Sequence, residues 1–394
     1  MNGRSQRPGN MPRKRANRCL SVSRIPAGVT GKGDSMYVGI DLHKKAAVYT
    51  AVGEQGMVLG RGSVPNTLDG WNSFASLFPE GTEVAMEACV NWGQVCDKLE
   101  SHGFRPLLAN SKRVRMIAES RSKTDSIDSE ILAQLLRTRY LPLVHIPSRE
   151  MREARELVSF RAALGHRNTE IKSRIHSMLA KEWISVPDPL FYGPGLEFLK
   201  AAKLSPLNRR LMDSLLAQLT VVENEVMKCQ SLMAHLSLNN KYVLRLMEIR
   251  GFDYYTALIL VSWIDGVDRF RDWRRLASYF GLVPSSRSSA EKAYHGHITK
   301  EGPTLARWAL VESVRYVVSE NPKLRRVLSQ IGKRRGAGIA RVAVARRLVR
   351  IIYHMLKEDT HYEYITERTY RGKMKEMKTD AARCKFQLDD ISRS

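Results

Sequence analysis

Met36-Tyr37-Val38-Gly39-Ile40-Asp41-Leu42-His43-Lys44-Lys45 is the stretch on which the fold of this chain turns. Its first half is a short, β-branched and aromatic run that ends in an acid, Asp41. Such a run reads as a strand. Outward from it, residues 46–52 and 57–63 repeat the pattern across glycine-bearing turns, which gives a three-strand meander. Residues 68–78 read as a helix, 82–87 as a strand ending in Glu87, 92–103 as a helix and 105–109 as a strand. Strands and helices in this order predict a mixed α/β domain over 36–150.

From about Met151 the period becomes helical, with Leu157, Leu164, Ile171 and Met178 seven apart. Pro187, Pro189 and Pro194 interrupt it, and Ser205-Pro206 supplies a cap and a first-turn proline for a second helix. Met212, Leu215, Leu219, Val222, Val226, Cys229, Met233 and Leu236 then alternate spacings of three and four, a heptad seam. That seam fits an antiparallel hairpin closing on itself, and equally an oligomerisation arm, so 151–240 is expected to be a helical coiled-coil arm. From Lys241 to 357 the chain reads as helical and basic, with a polar interruption at 284–302. Its last helix, about 338–356, has Ala340, Ala343, Val344, Leu348, Ile351 and Met355 on one face and Arg341, Arg346, Arg347 and Arg350 on the rest. Gly332-Lys333-Arg334-Arg335-Gly336 reads as a nucleic-acid-binding loop, Trp263, Trp273 and Trp308 as core, and 358–394 as a charged, loosely ordered tail. Residues 1–35 hold eight Lys and Arg, one acid and no apolar core of a signal peptide, so they read as a disordered basic arm or an upstream extension.

The balance of 64 Lys and Arg against 40 Asp and Glu, a formal charge of +24, predicts a polyanionic partner, and nucleic acid is the commonest. An apolar content of 43% supports sizeable cores, while the lack of a run of about 18 apolar residues excludes a membrane span. Five scattered cysteines give neither a metal cluster nor a disulfide framework and point to a reducing cytosol.

Asp41 and Glu87 end strands, and Asp125 and Asp128, three apart, open an apolar helix. Residues at that spacing share a helical face. Taken singly, Asp125 can cap its helix, Asp128 can favour the first turn, and Glu87 can be a surface acid. Taken together, four carboxylates are the oxygen donors that hard divalent cations take, as in phosphodiester chemistry.

Gly39-Ile40-Asp41-Leu42-His43-Lys44, Met86-Glu87-Ala88 and Lys123-Thr124-Asp125-x-x-Asp128 resemble the amino-terminal domain of the DEDD insertion-sequence transposases, bridge-RNA-guided recombinases related to Piv-type DNA invertases. The resemblance implies a RuvC-like (RNase H) fold in which Asp41, Glu87, Asp125 and Asp128 hold Mg2+ (or Mn2+), with Lys44 and Lys123 beside nucleic acid. A second match lies in Leu276-Ala277-Ser278-Tyr279-Phe280-Gly281-Leu282-Val283-Pro284, Ser285-Ser286-Arg287-Ser288-Ser289, Lys292, Gly296, Ile298-Thr299-Lys300 and Gly302, before Arg307. It is similar to the family's mainly α carboxy-terminal domain, whose serine attacks DNA phosphate. Alignment implies Ser289 as nucleophile, with Ser288 second; Ala290-Glu291 follow here where the family has glycine. Arg287, Lys292, Lys300, Arg307, Lys333, Arg334, Arg335, Arg346 and Arg347 are the candidate nucleic-acid contacts. Ile249-Arg250-Gly251-Phe252-Asp253 resembles the family's interhelical hairpin, with Asp253 in place of its second glycine, a good N-cap.

The family further implies donor and target DNA and a structured bridge RNA as partners. It also implies a homodimer or tetramer joined through the helical arm, a composite site across subunits, no membrane contact, and a cytoplasmic, nucleoid-associated place in a bacterium. Three other functions fit the residues: a Holliday-junction-resolvase-like nuclease using the same carboxylates with water, a DNA invertase, and a catalytically silent nucleic-acid-binding protein.

Overall fold

A computed structural model of the chain describes residues 35–117, 125–289 and 292–383, and of 286–289 and 292–295 the backbone alone. The expected basic arm (but for Ser35), Lys123, Cys19, Cys384 and the end of the tail lie outside the described residues. The chain divides into two compact units, Met1–Ile146 and Pro147–Ser394.

In the first unit β1 (Met36–Leu42), β2 (Ala46–Gly53) and β3 (Val58–Pro65) form the antiparallel meander expected from the sequence. Then come α1 (Leu68–Ala75), β4 (Glu83–Glu87), α2 (Trp92–Ser101), β5 (Arg105–Ala109), α3 (Ser111–Ile117), α4 (Asp125–Arg137) and β6 (Leu143–Val144). The six strands lie in the order β3-β2-β1-β4-β5-β6. β1, β4 and β5 run parallel, joined by helical crossovers, and β6 pairs antiparallel with β5.

Alternation along the strands separates two cores. Val38, Ile40 and Leu42 of β1 and Val84 and Met86 of β4 join Trp71, Phe74, Val95 and Leu99 of α1 and α2. On the opposite face Ala85 packs with Leu132 and Leu136 of α4, and Tyr37 lies against them. Gly39 makes that packing possible. A Cβ there would fall 2.0 Å from the Ser129 carbonyl oxygen and 2.5 Å from the Ala133 nitrogen, so the α4 backbone rests directly on β1. Thr50 Oγ1 and Ser129 Oγ share a buried hydrogen bond of 2.8 Å, Gln134 donates to the Gly56 carbonyl (2.7 Å), and Arg61 pairs with Glu130.

The second unit contains α5 (Arg149–Lys181), α6 (Pro194–Ala201), α7 (Pro206–Ser237), α8 (Lys241–Leu246), α9 (Tyr254–Ile264), α10 (Trp273–Tyr279), β7 (Pro284–Ser289), β8 (Lys292–Ile298), α11 (Thr304–Glu320), α12 (Pro322–Arg335), α13 (Ala337–Lys357) and α14 (Glu367–Ala382). Ser205 caps α7 as expected, accepting from the Asn208 N–H at 3.3 Å, and Pro206 takes the first helical position. α5 and α7 run antiparallel: Asn208 at the start of α7 reaches Glu182 just past α5 (2.6 Å), and Lys172 meets Glu223 (3.0 Å). Of the heptad positions Met212, Leu219, Cys229 and Met233 are buried, while Leu236 turns outward. Arg155 stacks on Trp263 at 4.4 Å and Arg161 on Tyr255 at 4.8 Å, which joins α5 to α9.

Several expectations fail, each for a local reason. The polar interruption at 284–302, to which the sequence reading assigned no strands, holds an antiparallel strand pair, β7–β8. Lys333, Arg334 and Arg335 are not in a loop; they form the last turn of α12, which Gly336 ends at φ +85°. Trp308 is exposed, because α11 buries Ala306, Ala309, Leu310, Val314 and Val317 and residue 308 lies off that stripe. The tail is not loose over 367–382, and α13 is not the last helix. In α14, Tyr370, Met374, Met377 and Ala381 recur at spacings of four, three and four and pack into the core of the unit.

Among the described residues no helix is long and apolar enough to cross a membrane.

Candidate active site

Asp41 and Glu87 face the same way for the reason that fixes the cores. Asp41 is two residues beyond Gly39 on the α4 side of β1, and Glu87 two beyond Ala85 on the same side of β4. β1 and β4 are parallel neighbours, with Ile40 opposite Met86, so both acids reach the carboxyl end of the sheet together. α4 crosses this face with Ser129 and Ala133 seated on Gly39, which sets its first turn, Asp125 and Asp128, beside the end of β1. The amino-terminal end of a helix favours negative charge there.

His43 joins the set. Its Nε2 lies 3.1 Å from Asp41 Oδ2 and 3.2 Å from Asp125 Oδ2. The ligand atoms of Asp41, His43 and Asp125 all fall within 4.8 Å of one another. Asp41 is half-buried, and its carboxyl is held above the ordinary value, first by desolvation and then by the charges of Asp125, Asp128 and Glu87, against the opposing pull of His43. Asp41 thus feels all three other acids, and among the described groups only His43 offsets them in that balance. An accumulation of carboxylates around one half-buried carboxylate suits a hard divalent cation, which needs oxygen donors and supplies the missing positive charge. Sequence reasoning gave His43 no role. The signal was there, since residues 41 and 43 are two apart at a strand end and therefore share a face.

Lys44 is exposed in the β1–β2 turn, and Lys123 lies outside the described residues.

In the second unit Ser288 and Ser289 occupy β7, with backbones opposite Ala293 and Lys292 on β8, and Arg287 stands opposite Tyr294. These side chains lie outside the described residues. The base of the hairpin is tightly built. A Cβ on Gly302 would come within 1.9 Å of the Tyr279 carbonyl oxygen, and one on Gly281 within 2.3 Å of that of Glu301. Both glycines have positive φ, +74° and +65°. Thr299 N–H donates to the Val283 carbonyl at 2.9 Å. Arg307 donates to the carbonyls of Phe280 (3.2 Å) and Glu301 (3.0 Å), and burial pushes its guanidinium down from the ordinary value. Arg307 therefore fastens the hairpin's two feet, and Lys300 stands exposed between them at φ +54°.

Lys333, Arg334, Arg335 and Arg347 are exposed, whereas Arg346 is half-buried. Its guanidinium lies 5.7 Å from the Trp273 ring, with Arg350 at 5.8 Å and Arg274 at 4.9 Å around the same indole. Three cations on one ring repel each other, so the cluster favours an anion such as a phosphate. The α8–α9 turn is braced from α14. Lys373 Nζ donates to the carbonyls of Met247 (2.7 Å) and Ile249 (2.8 Å), and Tyr254 donates to Asp380 (2.8 Å). Asp253 caps α9 as expected, accepting from the Thr256 N–H at 2.8 Å.

Two family models match the chain. The DEDD_Tnp_IS110 model, described as Transposase, matches residues 38–184, and the model of the Transposase IS116/IS110/IS902 family matches residues 243–329. The first range holds all four acids and the second both serines and their hairpin. Similar proteins include the transposase for insertion sequence element IS1111A of Coxiella burnetii, 24% identical over 71% of this chain and 79% of its own length. A probable family 20 transposase of Pseudomonas aeruginosa is 24% identical over 71% of this chain and 85% of its own. The putative transposase y4qE of Sinorhizobium fredii is 28% identical over 49% of this chain and 47% of its own.

Proposed function

The chain belongs to the IS110 family of DEDD transposases, enzymes of insertion sequences that cut and rejoin DNA and have a RuvC-like α/β core, and from that premise we propose how its residues divide the work. Asp41, Glu87, Asp125 and Asp128 hold divalent metal, Mg2+ or Mn2+, and Ser289, with Ser288 second, attacks the DNA phosphate. The observation that carries this reading is the meeting of Asp41, His43 and Asp125 at the carboxyl end of β1, their ligand atoms within 4.8 Å of one another, while Glu87 and Asp128 lie outside that cluster and act on Asp41 through their charge.

Bound metal would polarise a phosphate oxygen and stabilise charge that develops in phosphoryl transfer. The protein's own residues fix the rest. Gly39 lets α4 bring Asp125 and Asp128 to Asp41. Gly281, Gly302 and Arg307 hold the feet of the serine hairpin, a rigid support for a nucleophile. Attack by the Ser289 hydroxyl on phosphorus forms a phosphoserine ester and releases one DNA hydroxyl end. The ester keeps the bond energy that rejoining uses, which hydrolysis by water discards. Lys44, Lys123, Arg287, Lys292, Lys300, Lys333, Arg334, Arg335, Arg346 and Arg347 contribute phosphate contacts, with Arg307 acting through the hairpin. A bridge RNA pairs with donor and target DNA, and the α5–α7 hairpin joins protomers as a coiled-coil arm. Residues 36–150 act as the metal-binding domain, 151–240 as the arm and 241–357 as the serine domain.

The test is strand exchange on DNA bearing the element's ends, with co-purified RNA and Mg2+. Asp41→Asn and Ser289→Ala are each expected to abolish rejoined product. Cutting that survives in the double variant Ser288→Ala/Ser289→Ala and is lost in Asp41→Asn would favour a resolvase-like nuclease instead. Exchange that survives Asp41→Asn would overturn the metal assignment.

A further inference from the structure

His43 is placed with more care than an incidental surface histidine needs. Its backbone is fixed within the β1–β2 turn, where its N–H donates to the Ala46 carbonyl at 3.0 Å. Its own carbonyl accepts from Asn66 Nδ2, whose partner atom Oδ1 accepts from the indole N–H of buried Trp71 at 3.2 Å. The Asn66 N–H donates in turn to the Lys45 carbonyl at 3.0 Å. A chain of hydrogen bonds thus runs from the α1–α2 core to the residue that faces the carboxylates, and such support orients groups that act at a metal.

The imidazole's own contacts have an unusual symmetry. One nitrogen, Nε2, stands at 3.1 Å from one carboxylate oxygen and 3.2 Å from another. That nitrogen carries at most one hydrogen, so it cannot give both oxygens a well-aligned hydrogen bond. The spacing has a natural meaning in coordination chemistry. Neighbouring ligands on an octahedral ion with bonds of about 2.1 Å lie about 3 Å apart. His43 Nε2 therefore stands near the separation of adjacent ligands from both Asp41 Oδ2 and Asp125 Oδ2, and all three atoms lie within 4.8 Å of one another, close enough to share one cation.

We propose that His43 is a nitrogen ligand of the divalent metal held by Asp41 and Asp125, and that it biases this site towards Mn2+ over Mg2+. The inference rests on the carboxylate assignment above and extends it by one residue and one selectivity. Mg2+ strongly prefers oxygen, whereas imidazole nitrogen is an ordinary ligand for transition metals. The full chain then holds a mixed nitrogen–oxygen set, and the four acids alone do not determine its metal preference.

The test reads the metal directly and needs no DNA. The full-length protein is loaded with less than one equivalent of Mn2+, and the electron-spin-echo signal is recorded for nitrogen modulation. Mn2+ and Mg2+ affinities are measured in parallel by titration. Wild type is expected to show nitrogen modulation that disappears in His43→Asn, with Mn2+ affinity about ten-fold lower and Mg2+ affinity changed about two-fold at most. His43 is exposed, so the variant is expected to fold, and an unchanged melting temperature checks this. Asp41→Ala separates the two levels of the argument. Nitrogen modulation absent from wild type, with Mn2+ binding lost in Asp41→Ala, would overturn the role of His43 and leave the carboxylate centre standing. Mn2+ binding unaffected by Asp41→Ala would overturn both.

Discussion

Gly39→Ala tests the positioning of the proposed metal centre without touching any of its proposed ligands. The new Cβ would lie 2.0 Å from the Ser129 carbonyl oxygen and 2.5 Å from the Ala133 nitrogen, both backbone atoms of α4. Ordinary contact begins near 3.4 Å, so the helix must retreat by more than about 1 Å. Neither obstacle is a flexible side chain that can swing aside. The cost falls near the upper end of the roughly 1–3 kcal/mol typical of overpacking. For a unit of this size that lowers the melting temperature by roughly 10 °C or more. The same retreat carries Asp125 and Asp128 away from Asp41, and a misplacement of about 1 Å costs about a hundred-fold in rate. Calorimetry, Mn2+ titration and a strand-cleavage time course on one preparation read all three. Gly53→Ala is the control, because the atoms nearest its Cβ would belong to the Leu59 side chain, at 3.5 Å or beyond. Native melting temperature together with native Mn2+ affinity in Gly39→Ala would refute the claim that this close approach positions the centre.

Three further outcomes are expected. Burial pulls the Lys373 ammonium down to about 8, below its ordinary 10.5. The folded chain then binds fewer protons than the unfolded chain across that window, so stability rises with pH from about 8 to 10.5, by on the order of 2 kcal/mol. Urea midpoints of wild type and Lys373→Met across that range would show the rise in the first and not the second; parallel curves would contradict it. The double variant Arg346→Ala/Arg350→Ala is expected to reduce the slope of log DNA affinity against log salt by about 2, and an unchanged slope would remove the Trp273 cluster from the interface. Gly302→Ala, whose Cβ would meet the Tyr279 carbonyl at 1.9 Å, is expected to abolish strand exchange while DNA affinity in a gel-shift assay stays within about two-fold.

The α/β unit was largely legible in the sequence because its signals are local. The alternation in Met36–Leu42 and Glu83–Glu87 marks strands, and the acids at or next to their ends mark the candidate site. Gly39 carries the decisive tertiary information, yet a glycine in a strand does not announce which helix will lie upon it. The β7–β8 hairpin was missed because Ser-rich sequence has weak strand propensity, and its pairing depends on feet clamped by Arg307 and two glycines. α14 was missed because charge outweighed a short apolar stripe, Tyr370, Met374, Met377 and Ala381. Its role in bracing the α8–α9 turn through Lys373 and Asp380 depends on contacts more than a hundred residues apart in sequence.

The most direct test of the central claim is the covalent state of the protein during strand exchange. Full-length protein would be incubated with Mg2+, co-purified RNA and DNA bearing the element's ends, then denatured, digested and mapped by mass spectrometry. The account predicts a nucleotide adduct on Ser289, or on Ser288, that is absent in Asp41→Asn. Cleaved DNA with no adduct on either serine, from a preparation that still requires Asp41, would contradict it and assign the nucleophile to water.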